Sequence, residues 1–420
     1  MLIPANDAYG CETGGIILAG RSSLKPETAI GGDSISTELY GLSSAYWASA
    51  LSGGRCNIIA QSGRGGTGIS DWVGAVDNNY LASPPGLNGL PPLGRIFFRL
   101  GTNDCWADRS WTSLQTNYET LYGKLAGYAD HVYLLSIPPM GGATYAAFNY
   151  RTVEYNAAIE AYCAAHPSNF TFVDDTSFMR NGDGTQNPAY FHTDRLHLGG
   201  GGMYYAGAAL AAILAVDLVS LPRPVERVVS DTYPAGNQWH GNPLNVGTGG
   251  TFAGGSGGSG QLANGWLLST DFSGTTVSCS KVNADVGDSN PTPWQRLSLT
   301  SVHLNGSITL ESVPVGRTLT SSAPSDLEGV VEFRLNNLDL TKLQYFEFLM
   351  EANTGDLLLR RMRLDTGMAS GVNHTGVLRH KVHRSGSNTP ASAKIKLFIL
   401  GAASGSNIGS IDFRNFTVRG

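Results

Sequence analysis

From residue 28 to about 220 the chain alternates short apolar runs with stretches of helical period. Thr28–Gly32, Asn57–Ala60, Arg95–Leu100, His131–Ser136 and Phe170–Val173 have the length of strands and are apolar nearly throughout. Between them, Ser110–Ala129 places Leu114, Tyr118, Leu121 and Leu125 on one face at helical spacing. Asn149–Ala165 and Met203–Leu221 carry the same kind of pattern. Strands apolar on both faces must be covered on both faces, and intervening helices supply the cover. The pattern predicts an α/β region with a parallel sheet, whose ligand site lies at the carboxyl ends of the strands.

The pattern changes after Leu221-Pro-Arg-Pro224, a stiff break. Helical periodicity disappears, and residues 241–260 hold nine glycines. That stretch reads either as a linker or as a tightly turned part of the second domain; Thr248, Thr251 and Phe252 interrupt it and favour the second reading. About eight strand-length runs come next: Trp266–Leu268, Arg296–Leu299, Ser307–Leu310, Val330–Leu335, Tyr345–Met350, Leu357–Met362, Ile395–Leu400 and Ile411–Val418. Short strands between Gly/Ser/Asn turns predict an all-β sandwich or jelly roll. The expected organisation is an N-terminal extension over 1–24, an α/β domain over 25–222, a glycine-rich connection over 223–260 and a β-sandwich over 261–420.

Composition narrows the class. The chain has 420 residues, enough for two or three domains, and its charged share of 15% is well below the ~25% usual in globular proteins. With 41% hydrophobic residues it has material for sizeable cores. A net charge of −5 and the lack of any Lys/Arg-rich block argue against nucleic-acid binding. The five cysteines (Cys11, Cys56, Cys105, Cys163, Cys279) are scattered without a CxxC, so they read as mostly free thiols, with one pair left open. Met1–Gly20 lacks the pattern of a signal peptide. Met203–Leu221, the strongest apolar run, contains Asp217 and is alanine-rich, which suits a core helix better than a membrane span.

Four short motifs fall at the ends of candidate strands or just before the last helix. Gly32-Asp33-Ser34 follows the first strand, where a serine entering a helical turn is either a nucleophile or a simple N-cap. Gln61-Ser-Gly-Arg-Gly-Gly-Thr67 follows the second; its glycines allow a backbone N–H to face a reacting oxygen, and Arg64 within it is a candidate substrate contact. Gly101-Thr-Asn103-Asp104 follows the third, and the Asn103 amide there is either an oxyanion donor or part of an Asx turn. Asp194-Arg-Leu-His197 precedes the last helix with a carboxylate three residues before an imidazole, the spacing of an orienting acid and a base. His192, close by, reads as an ordinary loop histidine. Asn181-Gly-Asp-Gly-Thr-Gln-Asn187 lacks the spaced acidic ligands of a calcium loop and reads as a polar turn. No metal or organic cofactor is expected.

Taken together and in order, the four motifs resemble those of the SGNH (GDSL) hydrolase family over residues ~25–220. The resemblance implies a flavodoxin-like three-layer fold and a serine esterase. It makes Ser34 the nucleophile, His197 the base and Asp194 its orienting acid. Oxyanion donors would come from the Ser34 N–H, a glycine N–H and the Asn103 side chain. The family's second block usually opens with asparagine; here Gln61 or Ala60 stands in its place, which leaves Gly65 and Gly66 as alternatives for the glycine donor. Trp106 and Trp111 follow Asn103 and are candidates for a sugar-stacking rim or for core.

The second region resembles carbohydrate-binding sandwiches in architecture. Asn242–Thr251 looks like segments that follow esterase domains in bacteriophage tail proteins. The implied function is removal of O-acetyl groups from a capsule or lipopolysaccharide, by a virion tail-associated or extracellular protein that is a trimer if it is a tail protein. The competing readings are a bacterial acetylxylan-type esterase with a binding module and an inactive receptor-binding protein. The complete set of Ser34, Asn103, Asp194 and His197 argues against the last.

Overall fold

The computed structural model describes residues 25, 27–37, 43–75, 93–217, 251–253, 258–263, 266–271, 274–286, 293–312, 326–352, 357–363, 370–383 and 393–419. The expected N-terminal extension, Cys11 and most of the glycine-rich connection lie outside these residues.

The first region runs β1 (Glu27–Gly32), α1 (Ser43–Leu51), β2 (Asn57–Gly63), α2 (Ile69–Ala75), β3 (Leu93–Arg99), α3 (Thr102–Trp106), α4 (Trp111–Ala126), β4 (Ala129–Leu135), α5 (Gly142–Tyr145), α6 (Asn149–Ala165), β5 (Phe170–Val173) and α7 (Gly200–Asp217). Its five strands are parallel in the order β2-β1-β3-β4-β5. This is the flavodoxin-like order, with the switch point between β1 and β3.

Strand β3 shows why the sheet must be covered twice. Ile96 and Phe98 join one core with Tyr118, Leu121 and Ile159 of α4 and α6, while Phe97 joins the other with Trp47 of α1 and Leu210 of α7. All seven residues of β3 are buried, so its arginines need partners. Arg95 donates to the Lys25 carbonyl at 2.8 Å, and Arg99 donates to the Ser136 carbonyl at 2.8 Å and forms a buried ion pair with Asp175.

The second region holds twelve strands among the described residues: β6 (Thr251–Ala253), β7 (Gly258–Gly260), β8 (Trp266–Thr270), β9 (Thr276–Val282), β10 (Trp294–Val302), β11 (Ser307–Ser312), β12 (Asp326–Leu338), β13 (Leu343–Ala352), β14 (Leu357–Arg363), β15 (Val372–His383), β16 (Ala393–Gly401) and β17 (Gly405–Arg419). They form two six-stranded sheets, β15-β12-β17-β10-β9-β7 and β14-β13-β16-β11-β8-β6. The sheets are antiparallel apart from β6 on β8 and β7 on β9. The sandwich is as expected in class but has more strands than the eight read from the sequence. Strand β9 escapes that reading because its inward residues include Cys279 among serines, and β15 because residues 376–379 are buried in succession, after His374 and Thr375 and ending on Arg379, so no two-residue alternation marks it. Strands β6 and β7 lie in the glycine-rich stretch and join its end to the sheets.

The two regions share a core. Helix α1 packs across β14 and β15, which are edge strands of the two sheets, and α7 also reaches β14. Trp47 of α1 meets Tyr204 of α7 edge to face at 5.1 Å, and both belong to one cluster with Phe333, Phe346 and Leu378 of the sandwich. The Tyr204 hydroxyl also hydrogen-bonds His374 Nε2 on β15. Helices that cover one face of the parallel sheet thus also cover exposed sandwich edges, where open backbone groups otherwise invite unwanted strand pairing. Among the described residues, no helix is long and apolar enough to cross a membrane.

Candidate active site

Because β1, β2 and β3 are parallel, the loops that leave their carboxyl ends meet on one edge of the sheet. β1 ends at Gly32, and the chain turns sharply into a 3-10 turn over Ser34–Ser36. Gly32 has φ +134°, and a Cβ there would lie 1.7 Å from the Arg99 carbonyl oxygen, so only glycine fits. The turn presents Ser34, which is 8% exposed.

The last loop delivers the other two members of the expected triad. Asp194 Oδ1 accepts the backbone N–H groups of Leu196 and His197, each at 3.0 Å. Its Oδ2 lies 2.7 Å from His197 Nδ1, and His197 Nε2 lies 2.8 Å from Ser34 Oγ. Burial raises the Asp194 carboxyl, but hydrogen bonds from the imidazole and the two N–H groups outweigh it and hold the group below its usual value. An ionised Asp194 accepts the Nδ1 proton, which leaves Nε2 as the bare nitrogen facing the Ser34 hydroxyl. Three residues spread over 163 positions therefore form one continuous relay.

Further contacts brace this loop. The His192 N–H donates to the His197 carbonyl at 2.9 Å, so the neighbouring histidine contributes backbone to the loop. The Gln186 side chain donates to the carbonyls of Pro139 and Arg195, tying the loop to the one after β4. The 181–187 segment is a polar turn in which Thr185 donates to Asp183. Among the described residues, no group of three or more His, Cys, Asp or Glu is placed to hold a metal.

The glycine turn after β2 is the expected element seen against Ser34. A Cβ on Gly65 would lie 4.0 Å from Ser34 Cβ, so the glycine turn after β2 abuts the serine; Gly66 beside it has φ +76°. Arg64 anchors this turn through its backbone, donating its N–H to the Gly32 carbonyl at 2.8 Å. Asn103 lies in the first turn of α3, and its Nδ2 donates to the Thr67 carbonyl at 3.0 Å. That contact identifies which side-chain atom is the nitrogen and leaves its second N–H available. Gly101 before it has φ +134° and no room for a Cβ, which would meet Ile137 at 2.5 Å.

Trp106 ends α3 at 44% exposure with its ring against Tyr145, 5.5 Å away. Trp111 is 8% exposed and stacks on Tyr118, two turns further along the same face of α4, so it belongs to the core and not to a rim. Cys56, Cys105, Cys163 and Cys279 are free and buried. Burial, followed by the charges of Asp104 and Asp33, pushes the Cys105 thiol well up, so the thiol nearest Asn103 in the chain is no rival nucleophile.

Asp33 and Asp104 are structurally prominent yet carry no assignment from the sequence, because their partners are backbone groups far along the chain. Asp33 accepts from the N–H groups of Ile35 and Thr102, and Asp104 from the N–H of Ile69 and the hydroxyl of Tyr118.

The relay has the geometry of a serine-hydrolase triad. The model of the GDSL-like Lipase/Acylhydrolase family matches residues 31–204, from the end of β1 into α7. Over these residues the α/β region is similar to that family. No curated protein matches the chain. Among solved structures, a Streptococcus pneumonia protein assigned as a platelet activating factor is 24% identical, with 46% of this chain and 86% of that one covered and a TM-score of 0.37. A lipase/acylhydrolase from Enterococcus faecalis is 16% identical, with 46% and 96% covered and a TM-score of 0.34. An acetylxylan esterase from Geobacillus stearothermophilus is 14% identical, with 46% and 94% covered and a TM-score of 0.31.

Proposed function

We propose that the protein is a serine esterase that removes O-acetyl groups from a polysaccharide through an acyl-enzyme on Ser34. The relay from Asp194 through His197 to Ser34 carries this reading. His197 Nε2 takes the hydroxyl proton as Ser34 Oγ attacks the ester carbonyl, and it then gives that proton to the departing sugar hydroxyl. Water, deprotonated by the same nitrogen, releases acetate and restores the serine. Asp194 holds the imidazole in the required tautomer and offsets its charge when protonated. The negative oxygen of each tetrahedral intermediate is met by the Ser34 N–H, the Gly65–Gly66 turn and the second N–H of Asn103.

The rim supports a sugar as the alcohol. Trp106, three residues after Asn103 in the chain, packs against Tyr145, and the pair offers aromatic surface. Tyr150, half exposed, hydrogen-bonds Asp108, and Arg151 donates to the same carboxylate at 2.9 Å. Aromatic faces next to planar polar groups suit a ring with an apolar C–H face and hydroxyl edges. The sandwich, in this reading, binds the same polysaccharide. The resemblance of Asn242–Thr251 to phage tail segments makes a bacterial capsule or lipopolysaccharide the polymer of choice, with the protein carried on a virion tail as a homotrimer.

The test has two stages. Wild type should hydrolyse a short chromogenic acetate, and Ser34→Ala should abolish hydrolysis while keeping the wild-type melting temperature. An unchanged rate in Ser34→Ala would end the assignment. Acetate release is then measured on acetylated capsule, lipopolysaccharide and xylan. Preference for the bacterial polymers supports the tail reading, preference for xylan supports a plant-polymer esterase, and release from none of them removes the polysaccharide reading.

A further inference from the structure

Two carboxylates sit directly beside proposed reacting groups, yet neither can reach a substrate. Asp33 precedes the nucleophile and is 0% exposed; Asp104 follows the oxyanion asparagine and is 1% exposed. Each holds two loops together. Asp33 Oδ1 accepts the Ile35 N–H at 3.0 Å, which fixes the turn around Ser34, and its Oδ2 accepts the Thr102 N–H at 3.0 Å in the loop after β3. Asp104 Oδ2 accepts the Ile69 N–H at 2.8 Å, where α2 begins after the glycine turn, and the Tyr118 hydroxyl at 2.8 Å from α4. The exposed Arg109 donates to Asp104 Oδ1 at 3.3 Å.

A simple helix cap needs only the first of these contacts. The contacts to Thr102 and Ile69 reach 69 and 35 residues along the chain and join loops that share no other sequence element. Asn103 adds a third link through Thr67, whose hydroxyl accepts from Trp72 Nε1 at 3.0 Å and donates to the Arg64 carbonyl at 2.9 Å. The loop after β3 is thus tied to the nucleophile turn by Asp33, and to the glycine loop by Asp104 and Asn103. These three loops carry the three oxyanion donors.

We propose that Asp33 and Asp104 are positioning residues that hold the oxyanion donors in their reactive arrangement before substrate arrives. The inference rests on the esterase reading of the site. A donor helps only if it already points at the oxygen as charge develops, and small displacements are costly, up to about 10²-fold in rate for ~1 Å. An amide at Asp33, whose two oxygens each take a backbone N–H, turns its NH2 group toward one of them and pushes the loops apart, whereas an amide at Asp104 keeps an oxygen on Ile69 and Tyr118 but gives up the charge that holds them.

The test compares wild type with Asp33→Asn, Asp104→Asn and Tyr118→Phe on a chromogenic acetate, and measures inhibition by a trifluoromethyl ketone, which forms a tetrahedral oxyanion on the serine. The expected result is a kcat loss of about 10- to 100-fold for Asp33→Asn and several-fold for Asp104→Asn, with KM within about twofold and inhibitor affinity falling in step with kcat. Tyr118→Phe removes one hydroxyl from a buried ring, and should lower kcat several-fold with the same KM pattern. It therefore decides the matter if the amide variants fail to fold. Variants with wild-type kcat and inhibitor affinity, whatever their melting temperatures, overturn the proposal. Inactivity of wild type itself on every ester would instead overturn the functional reading beneath it.

Discussion

Both regions of the molecule bury charge, and they bury it in different places. In the α/β region Asp33, Asp104 and the Arg99–Asp175 pair lie at or just beyond the carboxyl ends of strands, and they bind backbone groups of neighbouring loops. In the sandwich the buried charges lie within strands and face each other across the sheet. Asp412 on β17 stands opposite both Arg296 on β10 and Arg334 on β12, and accepts from each at 2.8 Å. Glu332 on β12 stands opposite Arg414 on β17, at 2.7 Å. Trp294 lies beneath Arg334 and Arg414, with their guanidinium carbons 4.7 and 4.0 Å from its ring. Closed cross-strand pairs fix register and strand order. Carboxylates at strand ends, which take N–H groups from loops, set where other donors point. The position of a buried charge in its element therefore separates scaffold from site more sharply than its burial does.

That contrast can be broken from either side. The largest expected effect is on chemistry. His197→Ala should lower kcat by about 10⁴- to 10⁶-fold while leaving the melting temperature near that of wild type, as read by steady-state kinetics and thermal unfolding. Next comes Asp412→Asn. It leaves two arginines facing an uncharged amide in a buried site, and should cost about 3–5 kcal/mol of stability by denaturant titration. Its kcat should stay within about twofold of wild type, since the two sites share no partner. A matching loss of activity at temperatures where the variant is folded would erase the distinction between the regions.

The smallest effect concerns the seam where the regions meet. Burial lowers the His374 imidazole below its ordinary value, and burial raises the Tyr204 phenol facing it, so the hydroxyl donates to a neutral ring. Unfolding frees the imidazole to take a proton more readily. The unfolded chain then binds more protons between the folded value and the free value of about 6.5, so stability falls as pH drops through that window. Melting temperatures measured from pH 7.5 down to 5 should decline, and His374→Gln should show a shallower slope than wild type. An identical slope would mean that the seam contributes nothing to the pH dependence.

Much of the α/β region was legible in the sequence because its signals are local. Each strand is a short apolar run, α6 matches Asn149–Ala165, and the motifs follow strand ends as the parallel topology requires. The helix expected over Ser110–Ala129 is shorter, with Ser110 as its N-cap and Ala126 at its end, and α7 begins at Gly200 ahead of Met203. The triad could be read because Asp194 and His197 are neighbours in the chain and only Ser34 is remote.

What stayed hidden depends on contacts between distant segments. Trp106 and Trp111 look alike in sequence, but one ends a helix of five residues facing outward and the other begins a helix whose inward face carries Tyr118. The partners of Asp33 and Asp104 are backbone N–H groups, which every non-proline residue has, so no residue type announces them. The double duty of α1 and α7 was equally silent, because Trp47 and Tyr204 read as ordinary core until β14 and β15 are seen beside them.

Covalent labelling tests whether Ser34 is a nucleophile activated by its relay with His197 and Asp194. The protein is treated with a fluorophosphonate, digested, and the modified peptide identified by mass spectrometry in wild type, Ser34→Ala and His197→Ala. The relay predicts a single adduct on Ser34 in wild type, none in Ser34→Ala, and strongly slowed labelling in His197→Ala. Labelling at another serine, or equal labelling of Ser34 with and without His197, would contradict it.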